Sequence, residues 1–258
     1  MNNYNPIPNQ LEKIFSYILP FSVEQKKGEI SPYLEVSLYC GKYKLNAAKV
    51  NYSYGGLHYI FDEVFNKIQL KEKKIENALI LGFGAGSVAC LLTEKYDQNC
   101  MITGVEKDAE VIELGHKYFN ITRFKKLNLI HEDASDFVSK CNLKFDLIIV
   151  DVFVEDNVPK KFHQLHFIQG LDELLSENGI LIFNKVINNS DHKNEIKLLS
   201  ENINNVMGKC VFHDIVFSNT KNSVLIFDRK KNNKNYHLDE KYYDKNYTSN
   251  SLKIKEPV

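Results

Sequence analysis

From Asn77 onward the chain alternates between two kinds of pattern. The runs ALILGF, CMITGVE, LNLIHE, FDLIIVDVF and GILIFNKVI read as strands. Each is followed by a stretch with helical spacing: GSVACLLTEKY, DAEVIELGHKYF, ASDFVSKC, KKFHQLHFIQGLDELL and HKNEIKLLSENINNVM. Strand then helix, repeated, predicts an α/β fold with a doubly wound, mostly parallel sheet. LIIVDVF and ILIFNKV are apolar at consecutive positions, as strands covered on both faces are. KCVFHDIVF and KNSVLIF are separated only by SNT, too short for a crossover helix. These last two runs must therefore pair antiparallel.

Upstream, PYLEVSLYC, the turn GK and YKLNAAKV suggest a β-hairpin. LHYIFDEVFNKIQL then has apolar residues at three- and four-residue spacing, an amphipathic helix. Beyond Arg229 the chain is polar and rich in lysine and asparagine, as a surface tail is, with a docked segment expected around Tyr242 and Tyr243. The expected organisation is a small N-terminal β-element over 1–56, an α/β domain over 57–229 and a tail over 230–258.

The first strand of the alternation runs into LGFGAGS, with Gly82, Gly84 and Gly86 between strand and helix. Glycines there let a backbone approach a ligand, and a helix N-terminus offers unpaired N–H groups. The spacing is GxGxG, with Ser87 where a dinucleotide loop has its third glycine. The next strand ends in Glu106, about twenty residues on, where a carboxylate can accept from ribose hydroxyls. The third ends in HEDASDF, so Asp133 can accept from an adenine amino group with Ala134 beside the ring. The fourth brings Asp151 to the same carboxyl edge, where open α/β sheets bind ligands. Together these residues predict adenosine binding.

Composition narrows the rest. Lys plus Arg and Asp plus Glu are 33 each, a net charge of zero that gives no sign of a nucleic-acid or membrane-surface partner. The five cysteines are scattered and lack metal spacing, and they read as buried, reduced thiols of a cytoplasmic protein. No signal peptide and no run long enough for a membrane helix is evident. His163 and His166 share a helix face without a carboxylate or thiol at ligand spacing, so no metal is expected. Tyr52, Tyr54 and Tyr59 are candidates to line an apolar substrate pocket, although aromatic residues near a hairpin also simply pack. No GxSxG, HExxH or GxxxxGK[ST] pattern is present.

From about Tyr52 to Phe227 the chain resembles the spermidine synthase (polyamine aminopropyltransferase) group of the class I S-adenosylmethionine-dependent methyltransferase superfamily. The stretches that carry the resemblance are YGGLHYIFDEVF, LGFGAGS, GVEKD, HEDASDF, FDLIIVDVFVEDNVP and FHQLHFIQGLDELLSENGILIFN. It implies a Rossmann-like class I methyltransferase sheet of seven strands with a C-terminal antiparallel hairpin. It implies S-adenosylmethionine or its decarboxylated form as cofactor, with Glu106 at the ribose, Asp133 at the adenine and His58 near the substrate entrance. Asp151 would face the acceptor, a small molecule such as an amine. It also implies a homo-oligomer such as a dimer.

The chain departs from the group at two places. The glycine loop usually carries an aspartate, in a GGGDGG pattern, where this chain has Ala85. That acid suits the free ammonium end of decarboxylated S-adenosylmethionine and would repel the carboxylate of the intact form. After the fourth strand the group usually has a second aspartate where this chain has Val154, with Glu155 and Asp156 as the nearest substitutes. Methyl transfer is thus slightly favoured over aminopropyl transfer. A nicotinamide-dependent oxidoreductase, disfavoured by the GxGxG spacing and the terminal hairpin, and a non-catalytic nucleoside-binding descendant are the other readings.

Overall fold

A computed structural model describes residues 8–47, 51–53, 56–153, 158–217 and 220–233. The short helix α1 (Gln10–Phe15), capped by Asn9, leads into a small antiparallel sheet. Its strands are β1 (Phe21–Lys26), β2 (Leu34–Tyr39), β3 (Lys42–Ala47) and β4 (Asn51–Ser53), in that spatial order. The expected hairpin is the β2–β3 pair, with Leu34 opposite Ala47. The element is larger than the sequence implied, because polar edge strands flank the hairpin on both sides.

Helix α2 (Gly56–Lys67) follows, and then the alternating region. It comprises β5 (Asn77–Leu81), α3 (Ser87–Cys90, continued as a π-turn over Leu91–Lys95), β6 (Met101–Glu106), α4 (Ala109–Tyr118), β7 (Leu127–His131) and α5 (Ala134–Lys140). Next come β8 (Phe145–Val150), α6 (Leu165–Leu174), β9 (Leu175–Val186), α7 (Ser190–Val206), β10 (Val211–Phe217), β11 (Thr220–Asp228) and α8 (Arg229–Asn233). The second sheet has seven strands in the order β10-β11-β9-β8-β5-β6-β7. β5 to β9 are mutually parallel, and β11 and β10 add antiparallel at one edge. This is the expected Rossmann-like methyltransferase sheet with its terminal hairpin.

Alternate side chains of each central strand enter opposite layers, as a pleated strand requires. Ala78 and Ile80 of β5 pack with α2, α3 and α4 through Phe61, Phe65, Val88 and Leu114. Leu79 and Leu81 pack with α5, α6 and α7 through Phe137, Ile168, Leu171 and Leu199. Covering both faces leaves the strand ends as the place for chemistry. The strand order reverses between β5 and β8, so the loops after these two strands open side by side.

Arg229 of α8 donates to the Leu175 carbonyl and pairs with Asp172, which docks α8 against β9 and α6. The rest of the expected tail, with Tyr242 and Tyr243, lies outside the described residues. Only Cys100 and Cys210 are buried; Cys40, Cys90 and Cys141 are half-buried, so the expectation of five buried thiols is corrected, though none of the five is in a disulfide. No described helix is long and apolar enough to cross a membrane.

Candidate functional site

The loop after β5 holds Gly82, Gly84 and Gly86 at φ of +84°, +56° and +87°, a region other residues rarely enter. A Cβ on Gly82 would lie 2.2 Å from the Asp151 carbonyl oxygen, and one on Gly86 would press on Phe124 and Ile121. These two glycines therefore let protein approach protein. The N–H groups of Gly82 and Phe83 go to the Val105 carbonyl, that of Gly86 to Phe83, and that of Gly84 to Glu106. The loop thus spends much of its hydrogen-bonding capacity holding the neighbouring strand ends in register. Ala85 is buried.

Glu106 ends β6 and is almost fully buried. Its carboxylate accepts from the Gly84, Lys107 and Asp108 N–H groups at 2.9, 2.9 and 3.0 Å. Burial pushes its pKa up, against these three donors. Two oxygens offer about four lone-pair positions, so capacity remains for a ligand hydroxyl. Asp108 caps α4 through the Glu110 N–H and accepts from Ile30 N–H, both at 3.0 Å. That second bond fastens the turn between β1 and β2 beside the site.

Asp133 caps α5 by accepting from the Ser135 N–H at 2.9 Å. Lys161 Nζ lies 2.5 and 2.6 Å from its two oxygens, and Lys107 Nζ 3.0 Å from one of them. Burial alone would raise its pKa, but the two lysines and the Ser135 N–H hold it below the usual aspartate value. Ala134, the next residue, is buried.

Asp151 follows β8, and its N–H donates to the Leu81 carbonyl at 2.8 Å. Its side chain is buried and accepts from Asn184 Nδ2 of β9 at 2.9 Å. Burial, opposed by the Asn184 bond and reinforced by the charge of Glu106, pushes its pKa up to about 7. The Asn184 Oδ1 is itself buried without a hydrogen-bond partner among the described residues. Asp151 and Asn184 thus form a pair that holds a proton acceptor near neutrality beside an unused carbonyl oxygen.

Three strand ends therefore bring Glu106, Asp133 and Asp151 to the same sheet edge as the glycine loop. His58 is half-buried on α2, and the charges it feels are those of Asp62, Lys95, Lys42 and Glu94. Burial is the main cause of its lowered pKa. Tyr59 packs on the Phe217 ring at 5.2 Å between centroids. Tyr54, Glu155 and Asp156 lie outside the described residues, as does Val154. His163 is buried and His166 exposed, and no group of metal-ligating side chains occurs among the described residues.

Sequence reasoning missed Asn184, Lys107 and Lys161. Asn184 left a trace, a polar residue inside the apolar run ILIFNKV of a strand covered on both faces. The lysines left none, since a lysine in a loop is ordinary.

A family model for the spermine/spermidine synthase domain matches residues 61–239. A polyamine aminopropyltransferase of Thermoplasma volcanium is 28% identical over 130 residues, 48% of this chain and 47% of that protein. An eEF1A lysine and N-terminal methyltransferase homolog of Drosophila melanogaster is 25% identical over 138 residues, 50% of this chain and 20% of that protein. The matches thus span about half or less of the length of these relatives. Among solved structures, a probable spermidine synthase from Corynebacterium glutamicum superposes with a TM-score of 0.64 at 21% identity, covering 80% of each chain. Human methyltransferase-like protein 13, in complex with SAH, superposes with a TM-score of 0.55 at 17% identity, covering 67% of this chain and 82% of that one. With more than two thirds of its length matched by the family model, the chain belongs to the spermine/spermidine synthase domain family.

Proposed function

We propose that this protein is a transferase that binds S-adenosylmethionine, or its decarboxylated form, at the edge formed by Gly82, Gly84, Gly86, Glu106, Asp133 and Ala134. Glu106 accepts from the ribose, Asp133 from the adenine amino group, and Ala134 lies against the ring. Two observations support this reading: Glu106 keeps capacity for a ribose hydroxyl, and Asp133 sets a second carboxylate of fixed orientation at the next strand end, open to an amino group once a lysine leaves it. Asp151 orients the acceptor molecule and takes its proton.

The reaction is nucleophilic attack on a carbon bound to a sulfonium. The new bond forms as the carbon–sulfur bond breaks, its electron pair stays on sulfur, and the acceptor's proton passes to Asp151. The observation that carries this reading is the Asp151–Asn184 pair, a buried carboxyl group with a pKa of about 7. A base with that affinity is about half deprotonated at neutral pH, and its carboxylate form is strong enough to accept a proton. The acceptor is a small molecule, and an amine suits the unused Asn184 Oδ1 beside Asp151.

Methyl transfer is the favoured direction. Ala85 is buried in the glycine loop, so the loop supplies no carboxylate for the free ammonium end of the decarboxylated cofactor. Aminopropyl transfer is the second reading, supported by relatives such as the Thermoplasma enzyme. Calorimetric titration with each cofactor form separates them. Tighter binding of S-adenosylmethionine is expected; tighter binding of the decarboxylated form reverses the assignment. Failure to bind either removes the adenosine reading.

A further inference from the structure

Asp133 has no room for another donor. Ser135 N–H and Lys161 engage Oδ1, while Lys161 and Lys107 engage Oδ2. Those four contacts use the roughly four lone-pair positions a carboxylate has. An adenine amino group can reach this carboxylate only if a lysine leaves. The two lysines differ in grip: Lys161 spans both oxygens, whereas Lys107 touches one at 3.0 Å and is the more exposed.

We infer that Lys161 is a built-in competitor for the adenine position, a cation that must release Asp133 before an adenosine ligand is read there. This rests on the adenosine reading above. Lys161 lies in the short 3₁₀ turn Lys160–His163 after β8, with its ammonium 4.9 Å from the Phe162 ring centroid. Its side chain is 39% exposed, so it can swing into water, whereas Asp133, at 10%, is fixed by its cap. The exchange also sets specificity. A free Asp133 carboxylate accepts from a 6-amino group and repels a 6-oxo group, while the Lys161 ammonium does the reverse. Lys161 therefore weakens adenosine binding and blunts discrimination against the 6-oxo base.

The test is calorimetric titration of the full chain and of Lys161→Met with S-adenosylhomocysteine and with its inosine counterpart. The variant is expected to bind the adenosyl ligand about three- to tenfold more tightly, the scale of one partly exposed ion pair. Its preference over the inosyl ligand should widen by at least that factor. The gap between the two proteins should shrink in 0.5 M salt (roughly a threefold shorter screening length than at 0.05 M), because screening weakens the pair it comes from. Equal or weaker binding by Lys161→Met overturns the inference while leaving the adenosine reading intact. Failure of both wild type and Lys161→Met to bind the adenosyl ligand, or Asp133→Asn that binds it as well as wild type, overturns both.

Discussion

At Asp151 the sheet buries a carboxyl group against a neutral amide. The resulting pKa of about 7 means that ionisation costs free energy in the folded state that it does not cost in the unfolded chain. The sign follows from linkage. Between the ordinary aspartate value of 3.8 and about 7 the folded protein holds a proton that the unfolded chain has lost, so stability declines as pH rises through that window. Asp151→Asn removes the ionisation and keeps the shape. The variant should therefore melt increasingly above the wild type as pH is raised from 4 to 7. Its transfer rate should meanwhile fall by about 10²–10⁴, the usual contribution of a general base. Opposite movements of melting temperature and rate mark a residue kept for chemistry; a parallel loss of both would make Asp151 a structural cap. At this scale the sequence showed the acids because each closes an apolar run. It did not show what touches them, since Asn184 lies 33 residues from Asp151 and Lys161 lies 28 from Asp133.

The same strand that supplies Asn184 supplies Lys185, whose side chain enters the opposite layer. Lys185 is fully buried, and its ammonium lies 2.7 Å from Glu195 Oε2 in α7. Burial pushes the Glu195 pKa up, but Lys185 outweighs it and the net value is lowered. The pair pins α7 to β9. Glu195→Ala leaves an ammonium in the interior without its carboxylate, which should lower stability by about 3 kcal/mol, seen as a lower urea midpoint. Lys185→Met should be nearly neutral, because a flexible apolar chain fills the same space and Glu195, about a fifth exposed, turns to water. Equal losses in the two variants would show that packing rather than the unpaired charge is at stake. Elements were the most legible level of this chain. The alternation of β5 to β9 with their helices, the β10–β11 pair and the β2–β3 hairpin all follow from periodicity and turn length. β1 was not foreseen because FSVEQK is an edge strand with every side chain exposed or half-buried, so burial imposes little pattern on it. β4 has three residues, too few to carry a pattern.

Across the whole molecule the two sheets are joined by contacts that no local pattern encodes. Glu24 of β1 pairs with Lys117 of α4 at 2.6 Å, and Lys26 reaches Glu110 and Glu113 at 2.8 and 2.7 Å. These partners are more than eighty residues apart, and the charges that make them look in the sequence like any solvated surface. The zero net charge likewise conceals unequal pH responses. His163 is buried beside the Phe183 ring at 6.4 Å between centroids, and its Nε2 has no hydrogen-bond partner among the described residues. Burial, helped by the charge of Lys185, lowers its pKa to about 4 from an ordinary 6.5. Between those values the unfolded chain binds a proton that the folded protein refuses. The stability held above about pH 6.5 therefore drains as pH falls towards 4. His163→Phe keeps the ring and removes both the orphaned nitrogen and the titration. At pH 7.5 it should raise the melting temperature by roughly 3 °C, the equivalent of one relieved buried polar group in a chain of this size. At pH 5 the gain should be clearly larger, since the wild type has by then begun to lose the His163 contribution and the variant has nothing there to lose. A gain that is the same at both pH values would mean that the imidazole takes up its proton at the same pH in the folded and unfolded chain, and that burial and Lys185 do not depress its pKa.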